Sequence, residues 1–271
     1  MHTFSVGGPD VTRAWIAACN ALDRKDNPAR TAFHTVVRIT DPTADDLAFR
    51  AELDHVRATK QHEPTETVAN TLFPAQLAAR CDTHEELTSR YRALYARARR
   101  YPGNRHGTYF GRLIDYPGPD GKSVDQLAKV ITRLKKQAAR SGGMTAAYEI
   151  DVAHPEDADT PPEHGADITA DALVHAADRD NLFRGFPCLS HCSFQLDRTG
   201  AVHTVALYRY HYMLGRAYGN YLGLGRLTAY IAERAGLRGG SLTVVAGYAQ
   251  LDGPITRVRP LLTSTPSLLA A

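Results

Sequence analysis

Apolar residues recur at helical spacing between positions 11 and 23, where Val11, Trp15, Ile16, Ala18, Cys19 and Leu22 share roughly one face. Asp10 stands immediately before them, where an N-cap belongs. Thr35 to Ile39 is short and β-branched, the pattern of a strand. Glu85 to Arg99 reads as a helix with arginines along its outer side. The clearest helix of this half carries Val124, Leu127, Ala128, Ile131 and Leu134 at helical intervals. Ser123 and Gln126 form a capping box at its start. Lys135, Lys136 and Arg140 gather at its far end, where the helix dipole favours positive charge. Between these two helices, Tyr101 to Arg112 is turn chemistry throughout.

The second half is more regular. Ser193 to Leu196 predicts a strand, Asp197 to Gly200 a hairpin turn, and Val202 to Tyr210 a β-rich alternating partner. Leu222 to Ala235 predicts a helix that buries Leu224, Leu227, Ile231 and Ala235, with Gly236 as its C′ residue. Ser241 to Ala246 is a further strand. Strand, hairpin, strand, helix, strand is an α+β order. Residues 153–168 are acidic and hold Pro155, Pro161 and Pro162. Because each flank looks incomplete alone, this stretch reads as a surface insertion within one domain spanning residues 1–271.

Composition narrows the class. With 271 residues and 43% hydrophobic content the chain can bury a large core, and 23% charged residues argue against bulk disorder. A net charge of +3 makes no case for a nucleic-acid or membrane surface binder. The four cysteines, Cys19, Cys81, Cys188 and Cys192, are too few and too unevenly placed for a disulfide framework. The first residues show no basic stretch followed by an apolar one, and no apolar run reaches the ~20 residues of a membrane span. The expectation is a cytoplasmic protein.

Several motifs then fall in a shared order. Tyr109-Phe110-Gly111-Arg112 precedes a helix that opens Asp125-Gln126. Phe186-Pro187-Cys188 is followed by Phe194. Val205 to Arg209 leads to Leu214-Gly215, then Ala217-Tyr218-Gly219-Asn220, the helix from Leu227, Gly239-Gly240 and the strand before Gly247. This order resembles the thymidylate synthase superfamily, best over residues 109–140 and 183–252. The resemblance implies a thymidylate-synthase-like α+β domain with a mixed sheet packed against helices, working as a homodimer on a pyrimidine nucleotide. It implies methyl or hydroxymethyl transfer to C5 through a cysteine adduct at C6. Cys188 would be the nucleophile, and a thiol in that role needs a lowered pKa near cations or hydrogen-bond donors. Arg184 and His191 flank it in sequence. By the same resemblance Arg209 would bind the phosphate with its bidentate fork, Asn220 would read the pyrimidine edge, and Arg140 would reach a phosphate across the dimer.

Departures and alternatives stand beside these expectations. Leu189 replaces the family's histidine after the nucleophile. The ribose segment reads Gly247-Tyr248-Ala249-Gln250-Leu251-Asp252, so Gln250 or Asp252 would hold the sugar. The resemblance implies 5,10-methylenetetrahydrofolate as cofactor, yet the residues after Asp252 do not match the family's folate-closing tail. A folate-independent enzyme on the same fold, or a non-catalytic nucleotide-binding dimer, are the alternatives. Cys188 also reads as a small core residue, Cys192 as an inward strand residue, Arg209 as a partner for a carboxylate, and Arg140 as a solvated helix end. Cys188, His191, Cys192, His203 and His211 raise a metal site, but they lack a second ligand pair at a standard zinc distance. Gly223-Leu224-Gly225 lacks the third glycine of a phosphate-cradling loop.

Overall fold

Strand residues alternate between buried and more exposed positions, and that alternation builds the sheet on which the rest is placed. The computed structural model describes residues 1–98, 108–118, 122–140, 144–146, 148–152 and 188–263. In chain order the elements begin β1 (Ser5–Gly8), α1 (Val11–Leu22), β2 (Thr31–Ile39), α2 (Leu47–Ala58), α3 (Thr65–Leu72), α4 (Ala75–Ala78) and α5 (His84–Ala98). They continue with α6 (Tyr109–Ile114), β3 (Tyr116–Pro117), β4 (Ser123–Val124), α7 (Gln126–Ala138), β5 (Tyr148–Asp151) and β6 (Leu189–Leu196). Last come β7 (Ala201–Tyr212), a π-helical turn at Met213–Ala217, α8 (Tyr218–Ala235), β8 (Arg238–Gln250) and α9 (Ile255–Thr263).

Among the described residues, six strands form one mixed sheet in the order β1-β2-β8-β7-β6-β5. The pairs β1–β2 and β7–β8 are parallel and the others antiparallel. Parallel β7 and β8 need a crossover, and the π turn with α8 supplies it. Val37, Leu242, Val244, Ala206, Tyr208, Phe194 and Ile150 are buried on the face that α1, α7 and α8 cover. The opposite face, with Val36, Arg38, Thr243, Val245, Val205 and Leu207, is half-buried to exposed. The architecture is therefore mixed α and β, with a mixed six-stranded sheet packed against helices.

Local chemistry explains most element boundaries. Asp10 caps α1 by accepting from the backbone of Arg13. Gly236 ends α8 in the left-handed conformation at φ 73°, where a Cβ would be strained. Within α8, a Cβ at Gly219 would lie 2.7 Å from the Thr65 carbonyl oxygen, so glycine lets α8 lie against α3. The long strands β7 and β8 extend the predicted segments at both ends, because cross-strand pairing continues wherever a partner is present.

Two local expectations are corrected. Tyr109–Ile114 is a short helix capped by Thr108, not turn, because its apolar residues are buried and the threonine hydroxyl accepts from Gly111. The cap of α7 is Asp125, which accepts from Ala128, whereas Ser123 lies in β4 and donates to Asp115. Gln126 instead exchanges two hydrogen bonds with the backbone of Asp151, tying α7 to β5. The proposed insertion at 153–168, Arg184, Phe186 and Pro187 lie outside the described residues.

Candidate active site around Cys188

Cys188 sits just before β6, where that strand is irregular. Leu189 pairs with Tyr208, but His191 pairs with Leu207, so Ser190 is an extra residue and the ladder shifts. Such a bulge re-aims the chain next to it. Ser190 Oγ donates to the Leu207 carbonyl across the gap, and the backbone N–H of Arg209 donates to the Cys188 carbonyl at 2.8 Å. The end of β6 and the middle of β7 are thereby locked together at the thiol.

The surroundings of the sulfur are cationic and phenolic. The half-buried Arg209 hydrogen-bonds the thiol, and the charges of Arg209 and Arg216 both act on it. Tyr109, brought in by α6, is buried and hydrogen-bonded to the backbone of Cys188 and Leu189. Cys188 itself is only 5% exposed. Burial pushes its thiol up, and the two arginines oppose this without reversing it. The expected lowered pKa is thus corrected: desolvation of the thiolate outweighs its cations. Cys192 differs more strongly, since it is fully buried and is pushed up to about 12 by burial and the Glu149 charge.

Arg216 is delivered by the π turn, a rare geometry that is frequent at functional sites. That turn is held from three sides. Asp252 accepts from Leu214 N (2.7 Å) and Gly215 N (2.9 Å), Trp15 Nε1 donates to the Met213 carbonyl (2.8 Å), and the buried Arg57 guanidinium donates to the Leu214 carbonyl. A Cβ at residue 215 would approach Asp252 Oδ2 to 2.9 Å, so glycine is what admits the carboxylate. His62 Nε2 lies 3.7 Å from the same carboxylate oxygen. Neither Arg216 nor Tyr109 was assigned a role from sequence. Tyr109 lies in a motif read there only as a landmark, and a π turn has no hydrophobic period to reveal it.

The other sequence candidates are distributed unevenly. Asn220, 3% exposed, donates from Nδ2 to Nε2 of His211 at 3.1 Å. Burial pushes His211 down to about 3, so its ring is a neutral acceptor. Gln250 accepts from the Tyr210 hydroxyl at 2.5 Å. Asp252 is committed to the backbone of the π turn. Arg140 is not brought to Cys188 in the same chain. It lines a cleft of about 540 Å³ with Leu196, Asp197 and Gly200, at the other end of β6. Eight strand residues separate the two places, roughly 25 Å.

His191 turns to the open face, where Nδ1 meets Asp151 Oδ1 at 2.8 Å and Nε2 meets Glu149 Oε2 at 2.6 Å. His203 is held by Ser241 and Asp197 near the hairpin turn. The cysteine and histidine set considered for zinc is therefore dispersed, and no group of three such ligands gathers among the described residues. Two further clefts, of about 480 and 270 Å³, lie around Arg234, and neither is lined by Cys188 or Arg209. No described helix is long and apolar enough to cross a membrane. No protein-family model matches the chain, and no curated protein matches it.

Proposed function

We propose that this chain is an enzyme of the thymidylate synthase type that activates C5 of a pyrimidine nucleotide through a covalent adduct of Cys188 at C6, for methyl or hydroxymethyl transfer. The observation that carries this reading is the buried thiol of Cys188 hydrogen-bonded by Arg209 with a second guanidinium, Arg216, in electrostatic range. The order of motifs around it and the mixed sheet support the same family. Two guanidinium groups divide the work: one stays at the sulfur while the other faces the nucleotide phosphate.

Chemically, the thiol gives up its proton to solvent and the sulfur adds to C6. The C5–C6 electron pair moves onto the C4 carbonyl oxygen, leaving C5 as an enolate carbon. C5 then bonds to an electrophile, loses its original hydrogen as a proton, and the C–S bond breaks to restore the ring. With a solvent proton as electrophile the cycle exchanges the C5 hydrogen.

A folate would supply a one-carbon electrophile when bound. The donor edge of a pterin calls for a carboxylate, and Asp252 already accepts from the backbone of Leu214 and Gly215. No step above depends on a folate.

A homodimer belongs to the same proposal. On the open face, Arg38, Thr243, Val205, Ser193 and Glu149 form one cross-strand row, and Leu207 is 43% exposed beside it. The row runs from cationic to anionic with its apolar part in the middle. A two-fold axis running along β7, the centre of that row, would set each Arg38 against the other copy's Glu149.

The test is tritium release from C5-labelled dUMP, dCMP, UMP and CMP, with and without methylenetetrahydrofolate. Exchange with at least one nucleotide, lost in Cys188→Ala, is the expected result. Exchange that survives Cys188→Ala overturns the site. Binding without exchange in the wild-type protein points to a nucleotide-binding module instead.

A further inference from the structure

Buried tyrosines in this protein usually spend their hydroxyls. Tyr218 shares a hydrogen bond with Thr12 at 2.7 Å, Tyr148 donates to the Met144 carbonyl at 2.7 Å, and Tyr230 meets His84 Nδ1 at 3.1 Å. Tyr109 is bonded to the backbone at Cys188. Tyr208 and Tyr221 are different. Both are fully buried, and among the described residues neither hydroxyl has a hydrogen-bond partner.

Such groups are few in native proteins, because a buried hydroxyl gives up its water without compensation. Phenylalanine would fill nearly the same volume without that cost. Two phenols without a partner among the described residues, Tyr208 in electrostatic range of the Cys188 thiol and Tyr221 packed on the same imidazole as Tyr208, therefore mark a place where a third party completes the hydrogen bonds.

Their setting is ordered. The Tyr208 ring stacks on His211 with centroids 4.4 Å apart, and Tyr221 packs edge-on against the same imidazole at 5.5 Å. His211 is in turn fixed by Asn220. Asn220 thus serves the platform that holds both phenols. Tyr208 pairs in register with Leu189, the residue after Cys188, and lies in electrostatic range of Cys188, Tyr109 and Tyr221. Burial pushes both phenols up, so each stays protonated and able to donate.

We infer that the Tyr208 and Tyr221 hydroxyls form a recognition subsite behind Cys188, donating hydrogen bonds to acceptor atoms, such as carbonyl oxygens, of a bound planar ring. This rests on the reading that Cys188 attacks a pyrimidine, and it assigns the base-reading role to two tyrosines in place of Asn220. Because the rings are held before the ligand arrives, little rotamer freedom is lost on binding.

Tyr208→Phe and Tyr221→Phe test this by removing one oxygen each. Calorimetric titration with dUMP, UMP, dCMP and CMP should show the best-bound nucleotide weakened about 10-fold by each substitution. Thermal unfolding of the unliganded variants should show them at least as stable as the wild-type protein. Affinity unchanged in both variants overturns the subsite. So does a wild-type protein that binds none of the four nucleotides. Loss of unliganded stability at constant affinity also overturns it, since the hydroxyls would then hold buried water only. Tyrosine-sensitive binding with no tritium release from any nucleotide supports the subsite while refuting the catalytic role of Cys188.

Discussion

Replacing Arg209 with glutamine removes the cation that hydrogen-bonds the Cys188 thiol, and the consequence can be followed to a rate. Two unit charges about 4 Å apart interact by about 4 kcal/mol at an effective dielectric of 20. Arg209 is half-buried and faces water on one side, and Arg216 remains, so about 1.4 kcal/mol is a fitting net loss. That is about a tenfold drop in thiolate population at a pH below the thiol's midpoint. A more basic thiolate is also a better nucleophile, with a Brønsted slope of about 0.4–0.5, which recovers about threefold. Alkylation of Cys188 by iodoacetamide should therefore slow about threefold in Arg209→Gln, and Arg209→Lys should recover much of the loss.

The assay is peptide mass spectrometry after timed alkylation between pH 7 and 10, with buried Cys19 and Cys192 as slower internal references. Because the Cys188 thiol is raised above its ordinary value, the wild-type rate should still be climbing at pH 9. Two results would refute the reasoning. A rate independent of pH would mean that opening of the structure, not ionisation, limits access to the thiol. Equal or faster alkylation in Arg209→Gln would mean that the guanidinium does not stabilise the thiolate.

Two further outcomes are expected. Burial alone would lower the His191 pKa, but its hydrogen bonds to Asp151 and Glu149 outweigh this and raise it. The folded protein therefore holds that proton more tightly than the unfolded chain. The clamp between β5 and β6 contributes fully below the unfolded value of about 6.5 and is lost as pH rises through the folded one. His191→Gln should cost about 0.5–1 kcal/mol in urea unfolding at pH 6, discounted for the partly exposed pair, and the deficit should shrink by pH 9; a deficit that grows with pH would contradict the clamp. Sedimentation velocity should show a wild-type dimer, a shift toward monomer in Arg38→Glu, and recovery when Glu149→Arg is added; a monomeric wild-type protein would end the dimer proposal.

Much of the fold was legible because it rests on local rules. The helices around Trp15, Ile131 and Leu227 follow from hydrophobic spacing, and their caps Asp10 and Gly236 follow from backbone chemistry. The hairpin at Asp197 to Gly200 is equally local: the aspartate accepts from Thr199 and Ala201. Tyr109–Ile114 was not legible, since six residues give too short a period to separate a helix from a turn and burial decided it. The Ser123–Gln126 box failed because Gln126 found a better partner in the backbone of β5, which lies far along the chain.

The sequence by itself determined an α+β order of elements, and its motif order, through a family resemblance, made Cys188 and Arg209 candidates for one site. Both conclusions depend on residue type and neighbours along the chain. Only the tertiary structure decided that Arg216 joins the thiol through a π turn, that Asp252 supports that turn, and that Arg140 lies at the far end of β6. It also decided that Tyr208 and Tyr221 are buried with hydroxyls that find no partner among the described residues. These are properties of distance and desolvation, which depend on what the fold packs around a side chain rather than on the residues beside it in sequence.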